Sequence, residues 1–194
     1  MLILASQSPR RAELLRNAGY TFEVCPADVD ERVRAGEPPE EYVKRLAQEK
    51  ALAVLATAPA DAVVLGADTT VVLGGECLGK PVDAADAQQM LKRLSGRVHQ
   101  VMTGVCVTWR KATDAEVDFE VGVEVTEVKF AAMSGAEIAA YVATGEPMDK
   151  AGAYAIQGVA SRWIPRIRGC YFNVVGLPVA RVSAMLARAR VPRI

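Results

Sequence analysis

Hydrophobic and polar positions follow two periods along this chain, and the changes between them mark out the elements. Residues 2–5 are an unbroken apolar run of strand length. Ser8-Pro9 follows at once and predicts a helix start, with serine as N-cap and proline in the first turn. Leu14, Leu15 and Ala18 give that helix an apolar face, and Gly19 ends it. Residues 21–25 read as a second strand and 26–37 as a charged loop. From Pro38 or Pro39 to about Ala56, the positions Val43, Leu46, Ala47, Val54 and Leu55 recur with the helical period. Lys50 stands at the centre of that apolar stripe. An ammonium there must be paired or face a ligand, because burying it alone is very costly.

Residues 62–66 read as a strand that ends at Ala67-Asp68-Thr69, with 70–73 extended beyond it. Gly74-Gly75 predicts a turn and 76–78 the returning strand. Asp83 caps a helix with Ala87, Met90, Leu91 and Leu94 on one face, and Gly96 closes it. Residues 101–109 and 119–125 alternate and read as paired strands. The apolar parity slips between Val125 and Val128, which suggests a bulge. Ser134-Gly135-Ala136-Glu137 is a capping box for a helix over 138–143. Residues 162–168 and 171–175 read as short strands, and Pro178 starts a last amphipathic helix through Val182 and Leu186. Helices and strands mixed with hairpins predict an α/β fold with a mixed sheet. No repeat, low-complexity linker or clear domain boundary interrupts the pattern.

Composition narrows the function. At 194 residues, 51% apolar and 24% charged, the chain has an ordinary soluble composition. Its length suits one medium domain or one domain with two lobes. It lacks the run of roughly 20 apolar residues that a membrane span needs. The start MLILASQSPRR lacks the basic head and long apolar stretch of a secretory signal. Lysines and arginines number 23 and so do the acids, giving a formal net charge of zero. That balance speaks against coating nucleic acid, so no such partner is expected. The zero hides a contrast: residues 112–149 hold nine acids and one base, Lys129, and residues 160–194 hold seven arginines and no acid. Both read as solvated surface. Cys25, Cys77, Cys106 and Cys170 have no zinc spacing and read as small buried residues of a reducing, cytoplasmic protein. His99 is the single histidine. It lies at a strand start and reads as structural, which leaves acid–base work to Asp, Glu or Lys.

Four segments could carry chemistry. Residues 6–11, SQSPRR, join a strand end to a helix N-terminus, an anion-binding junction. Ser6, Ser8, Arg10 and Arg11 would add hydroxyl donors and guanidinium forks matched to phosphate oxygens. A plain N-cap with solvated arginines is the simpler alternative. Next, Asp68 lies in Gly66-Ala67-Asp68-Thr69-Thr70, at the carboxyl end of an apolar strand, where open α/β sheets place ligands. It could hold a divalent metal or orient an attacking water, or merely cap a turn. The third segment, Gly74-x-x-x-x-Gly79-Lys80-Pro81, nearly matches the phosphate-binding loop. Pro81 has no hydroxyl for Mg²⁺ and a hairpin precedes the segment, so that match is rejected. Lys80 remains available as a phosphate cation. Last, DKAGAYAIQG over 149–158 is a small-residue loop that a ligand could approach closely. The Gln157 amide in it could read a base edge, although a connecting loop would look the same. Glu31 is a further acid in the charged loop. Cations at Arg10, Arg11, Lys50 and Lys80, with acids at Glu31, Asp68 and Asp149, suit a polyphosphate bound with Mg²⁺.

The segments SQSPRRAELL, RLAQEKA, GADTTV, GKP, LSGRVHQVMTGV, DKAGAYAIQG and NVVGLP occur in this order. Through them the chain, from Leu2 to about Leu186, resembles the Maf family of nucleoside triphosphate pyrophosphatases, once called septum formation inhibitors. The resemblance implies a single domain over 1–194, with a mixed, twisted central sheet flanked by helices and two lobes around a nucleotide cleft, as in ITPase-like proteins. It implies hydrolysis between the α and β phosphates with Mg²⁺ or Mn²⁺, and often a homodimer. Asp68 falls on the catalytic proton acceptor, and Ser6, Arg11, Lys50 and Lys80 on substrate-binding positions. Glu31 joins Asp68 as a metal residue. Arg10, Thr69 and Gln157 match the branch acting on dTTP and UTP, possible modified pyrimidine nucleotides included. The Gln157 amide can both donate and accept, which suits the O4 and N3–H edge of uracil or thymine. Two alternatives stay open: the same fold acting on 7-methyl-GTP or another modified triphosphate, or a non-catalytic nucleotide-binding regulator of cell division. Asp68, Lys50 and Lys80 speak against the latter, since binding alone needs no positioned acid.

Overall fold

Three helices begin where local capping signals put them. In the computed structural model, which describes residues 1–111 and 116–192, Ser8 caps helix α1 (Pro9–Asn17) by accepting from Arg11 N at 3.5 Å. Asp83 caps α3 (Ala84–Leu94) by accepting from Asp86 N at 2.8 Å. The Ser134/Glu137 capping box opens α4 (Gly135–Ala143). Helix α2 covers Pro39–Leu55, α5 Tyr171–Val175 and α6 Val179–Arg188. The strands are β1 (Leu2–Ala5), β2 (Glu23–Val24), β3 (Val63–Leu73), β4 (Glu76–Leu78), β5 (Val98–Arg110), β6 (Val117–Lys129) and β7 (Arg166–Arg168). They form one mixed sheet in the order β2-β1-β3-β5-β6-β7, with β4 also on β3. Strand β1 runs parallel to β2 and β3, while β4 and β7 pair antiparallel. The expected mixed α/β class is thus observed. Among the described residues, no helix is long and apolar enough to cross a membrane.

The chain divides into two compact units. The first holds Met1–Asp68, Thr103–Glu124 and Gly176–Ile194. Its core includes Ile3, Ala5, Ala47, Ala51, Val54, Leu55, Val64 and Cys106. Two glycines set the height of α2 above the sheet. A Cβ on Gly66 in β3 would lie 2.1 Å from the Ala47 carbonyl oxygen, and one on Gly104 in β5 would lie 2.1 Å from that of Val43. The α2 backbone therefore rests directly on both strands. At its C-terminus, Arg110 of β5 donates to the carbonyls of Leu55, Ala58 and Pro59, a favourable place for a cation. The arginines of α6 are exposed yet partnered: Arg181 pairs with Glu124 at 2.9 Å and Arg188 with Glu120. The solvated-surface reading holds for these side chains, which also meet opposite charge on β6. Residues 112–115 of the acidic stretch and Arg193 lie outside the described residues.

The second unit holds Thr69–Met102 and Val125–Val175. Its core joins Leu78, Leu91 and Leu94 with Phe130, Ile138, Tyr141, Tyr154 and Trp163. His99 is buried there, as expected of a structural histidine. Its Nε2 lies 2.8 Å from the Tyr154 hydroxyl, and Phe130 and Tyr154 meet its ring edge-on. Burial pushes its pKa down to about 4, so the ring is neutral.

Four expectations are corrected. Strand β3 does not end near Gly66; it continues to Leu73, so Asp68 stands inside it. The aromatic and β-branched run over 171–175 is the helix α5, not a strand. It forms because Asn173 is fully buried and its amide donates at 2.9 Å to both Val101 O and Thr126 Oγ1. Residues 162–168 are strand only at Arg166–Arg168, preceded by a 3₁₀ turn over Val159–Trp163. Of the cysteines only Cys106 is buried, and Cys25 is exposed beside the short edge strand β2. On β6 the buried positions are Thr126 and Val128, whereas Val121, Val123 and Val125 are only half-buried.

Candidate active site

The parallel pairing of β1 with β3 brings the first two candidate segments together. Ala5, the last residue of β1, is registered with Gly66. Ser6 leaves the end of β1, and Asp68 lies two residues beyond Gly66 on β3. Residues two apart in a strand share a face, so Asp68 lies on the face that Gly66 presents to α2. Lys50 follows Ala47 by about one helical turn. The close seat of Ala47 on Gly66 therefore carries Lys50 over Asp68. The Lys50 ammonium lies 2.7 Å from Asp68 Oδ1 and 2.5 Å from Glu31 Oε1. Both Lys50 and Asp68 are buried, whereas Glu31 is about half exposed. The expectation that Lys50 must be paired is met by these two carboxylates.

Arg11 folds back from the first turn of α1. Its Nη1 donates to Ser6 Oγ at 3.1 Å and its Nε to the carbonyl of Gly176 at 2.8 Å. Ser6 is buried, and its hydroxyl also accepts from Ser8 N at 3.2 Å. Burial lowers the Arg11 pKa, the nearby Asp68 carboxylate opposes this, and Arg10 on the same turn adds to it. A guanidinium starts so high that it stays charged. Burial likewise raises the pKa of Asp68, against the pull of Lys50 and Arg11 and with a smaller push from Glu31. A carboxylate with raised proton affinity, held among cations, is a better proton acceptor than an exposed one.

Ser6, Arg11, Glu31, Lys50 and Asp68 thus form one cluster within the first unit. Arg10 and Thr69 are half-buried neighbours in sequence of Arg11 and Asp68. Alternation along β3 turns Thr69 to the face opposite Asp68. Lys80 and Gln157 belong to the second unit, and both are exposed. Asp149 is exposed and pairs with its neighbour Lys150. In the loop over 149–158, Gly152 does not leave room for a ligand. With φ at +67°, its bare Cα faces Val71, whose side chain a Cβ would meet at 2.7 Å. Its N–H donates to Gly79 O at 3.0 Å.

Sequence reasoning missed the residues that hold Glu31 in place. Tyr42 donates its hydroxyl to the Glu31 carbonyl at 3.0 Å. Arg45 donates to the Arg32 carbonyl at 3.1 Å and grips the Glu37 carboxylate at 2.5 and 2.8 Å. Hydrogen bonds from Arg45 hold the Glu37 pKa down at about 2. The charged loop is therefore strapped to α2 at Glu31 and just beyond it. The available signal was the spacing of Tyr42, Arg45 and Glu49, which share one helical face. The Gly176 carbonyl under Arg11 left no such signal.

The donor set bears on a metal. Asp68 and Glu31 are hard oxygen donors converging on one ammonium, and Glu31 is open to solvent. Among the described residues, no group of three or more His, Cys, Asp or Glu could cage an ion. Two carboxylates fit an ion of the Mg²⁺ or Mn²⁺ kind that takes its other ligands from water and phosphate oxygens.

A family profile described as "Maf-like protein" matches residues 1–189. A dTTP/UTP pyrophosphatase of Anaeromyxobacter dehalogenans (strain 2CP-C) is 57% identical over 191 residues, covering 98% of this chain and 95% of its own. The dTTP/UTP pyrophosphatase of Vibrio cholerae serotype O1 is 51% identical over 185 residues, covering 95% and 96%. Among solved structures, the Ham1 protein of Staphylococcus aureus aligns over 97% of this chain and 98% of its own, at 16% identity and a TM-score of 0.45.

Proposed function

The chain belongs to the Maf-like protein family, and from that premise we propose that it hydrolyses dTTP and UTP to the monophosphate and pyrophosphate. The observation that carries this reading is the buried Asp68 carboxylate, raised in pKa and held 2.7 Å from Lys50 beside Arg11. The names of its relatives supply the substrate class. In the reaction, a water oxygen bonds to the α-phosphorus and the bond from that phosphorus to the α–β bridging oxygen breaks. Pyrophosphate leaves with the bridging oxygen. Asp68 accepts the proton released by the water. Lys50 orients the Asp68 carboxylate and sets positive charge beside the reacting phosphate. Ser6 and Arg11 bind phosphate oxygens through a hydroxyl and a guanidinium fork.

Asp68 and Glu31 would hold a Mg²⁺ or Mn²⁺ ion, which when bound neutralises triphosphate charge and helps activate water. Lys80 is assigned to phosphate binding, and Arg10, Thr69 and Gln157 to substrate choice. Their support is the motif resemblance and, for Gln157, the match of an amide to the uracil or thymine edge. The single two-lobed domain, a homodimer and a cytoplasmic location belong to the same proposal on the same support. The test is a panel of ribo- and deoxyribonucleoside triphosphates with Mg²⁺, scored for pyrophosphate against phosphate release. Pyrophosphate from dTTP and UTP ahead of the other bases is the expected result. Phosphate as the product, 7-methyl-GTP as the preferred substrate, or nucleotide binding without turnover would refute it.

A further inference from the structure

Gln157 stands at the tip of a tight turn, and that turn is pinned at both ends by two residues with no role in the chemistry above. The turn runs from Ala155 to Gly158 and is closed by Gly158 N donating to Ala155 O at 3.1 Å. On its leading side, Ala155 N donates to the Tyr141 hydroxyl at 3.3 Å. On its trailing side, Val159 N donates to Glu146 Oε2 at 3.1 Å. Tyr141 and Glu146 are themselves joined, the hydroxyl donating to Glu146 Oε1 at 2.7 Å. One carboxylate and one phenol therefore close a ring of hydrogen bonds around the residue assigned to the base.

The ring is anchored on the core side. Tyr141 is fully buried on α4, its ring 5.7 Å from that of Trp163. Glu146 is fixed through its own backbone: its N–H donates to Thr144 Oγ1 at 3.2 Å, and its carbonyl accepts from Lys150 Nζ at 3.1 Å. Gly158 completes the fit. A Cβ there would lie 2.3 Å from Glu146 Oε1, so a side chain would drive the carboxylate off the turn. Upstream, Tyr154 is held by His99 at 2.8 Å. An exposed amide discriminates between bases only if its donor and acceptor arrive in a set orientation, because an amide that must be ordered on binding loses part of that advantage.

We propose that Tyr141 and Glu146 are positioning residues for base recognition, which hold the Gln157 turn rigid and so set the preference for uracil- and thymine-type bases. The proposal rests on the reading of Gln157 as the residue that meets the base. Steady-state kcat and KM for UTP, dTTP and CTP would be compared in the full chain for Gln157→Ala, Tyr141→Phe and Glu146→Gln. Each of the last two would also be combined with Gln157→Ala. Thermal melts would confirm the fold, and Tyr141→Phe, which removes one oxygen and keeps the packing on Trp163, carries the test should Glu146→Gln fail to fold. Either single change is expected to lower the UTP-over-CTP ratio of kcat/KM by about tenfold. The loss should come through KM for UTP, with kcat nearly unchanged, and neither change should add to the loss in Gln157→Ala. A purely structural role would lower every nucleotide alike and add to Gln157→Ala, and that result overturns the proposal. Discrimination lost in Gln157→Ala but kept in both others also overturns it, and leaves the reading of Gln157 standing. Discrimination unchanged in Gln157→Ala removes that reading and the proposal together.

Discussion

Replacing Asp68 by asparagine separates what the buried carboxylate does for turnover from what it does for the fold. The change keeps shape and removes one charge. As proton acceptor, a positioned carboxylate contributes roughly 10²–10⁴ in rate, or about 3–5 kcal/mol of barrier. Removing one partner of a buried ion pair ordinarily costs about 3–5 kcal/mol of stability, because the other charge is left uncompensated. Here that cost is largely avoided. Lys50 keeps Glu31 at 2.5 Å, and the asparagine oxygen still accepts from it. Burial also raises the Asp68 pKa above its ordinary 3.8. The folded chain therefore holds that proton more tightly than the unfolded chain does. Stability therefore falls as pH climbs from the ordinary value through the raised one. Asp68→Asn should thus lose at least about a hundredfold in kcat, while its Tm at pH 7.5 equals or exceeds that of the parent. Pyrophosphate release from UTP and a thermal melt on the same preparation measure both. Near-parental turnover in a folded variant would refute the catalytic role. A fall in Tm beyond roughly 10 °C, about 3 kcal/mol for a chain of this size, would mean that the pair is a structural staple instead.

Two further outcomes follow from the packing. His99 is held neutral, with a pKa of about 4 against an ordinary 6.5, so the unfolded chain binds the extra proton first. Stability should fall by up to about 3 kcal/mol as pH drops from 6.5 to 4. Urea titrations at several pH values would detect it, and a His99→Phe variant that loses stability just as steeply in that window would exclude His99 as its source. Gly104→Ala places a methyl group 2.1 Å from the Val43 carbonyl, where α2 must shift and carry Lys50 off Asp68. A loss of about 3 kcal/mol or more, together with most of the turnover, is expected from denaturant melts and the pyrophosphate assay; an unchanged midpoint would show that α2 can rise without consequence.

Much of the local architecture was legible in the chain because it depends on neighbours in sequence. Ser8-Pro9 and the Ser134/Glu137 box start their helices by capping bonds that span three residues. The position of Lys50 in an apolar stripe already required a partner, since the cost of burying an ammonium does not depend on which fold buries it. Nothing nearby names that partner. Asp68 lies 18 residues away along the chain, and it reaches Lys50 only because Gly66 lets α2 settle on β3. Reading Asp68 at a strand end came from the polar triplet after an apolar run. The strand in fact continues through it, while the parallel partner β1 stops at Ala5, opposite Gly66.

The same division holds elsewhere. The run over 171–175 has the composition of a strand, and burial of Asn173 with its two hydrogen bonds makes it a helix. Arg11 was legible as a cation at a helix start, but its seat on the Gly176 carbonyl joins residues 165 apart. The arginines of α6 find Glu120 and Glu124 across the fold, not along it. By itself, then, the sequence determined where the capped helices begin, which residues carry charge that must be matched, and which ordered segments resemble a nucleotide-hydrolysing family. Tertiary structure alone decided which charges meet, because the register of parallel strands and the height of a helix on two glycines are set by contacts between segments that have no period in common.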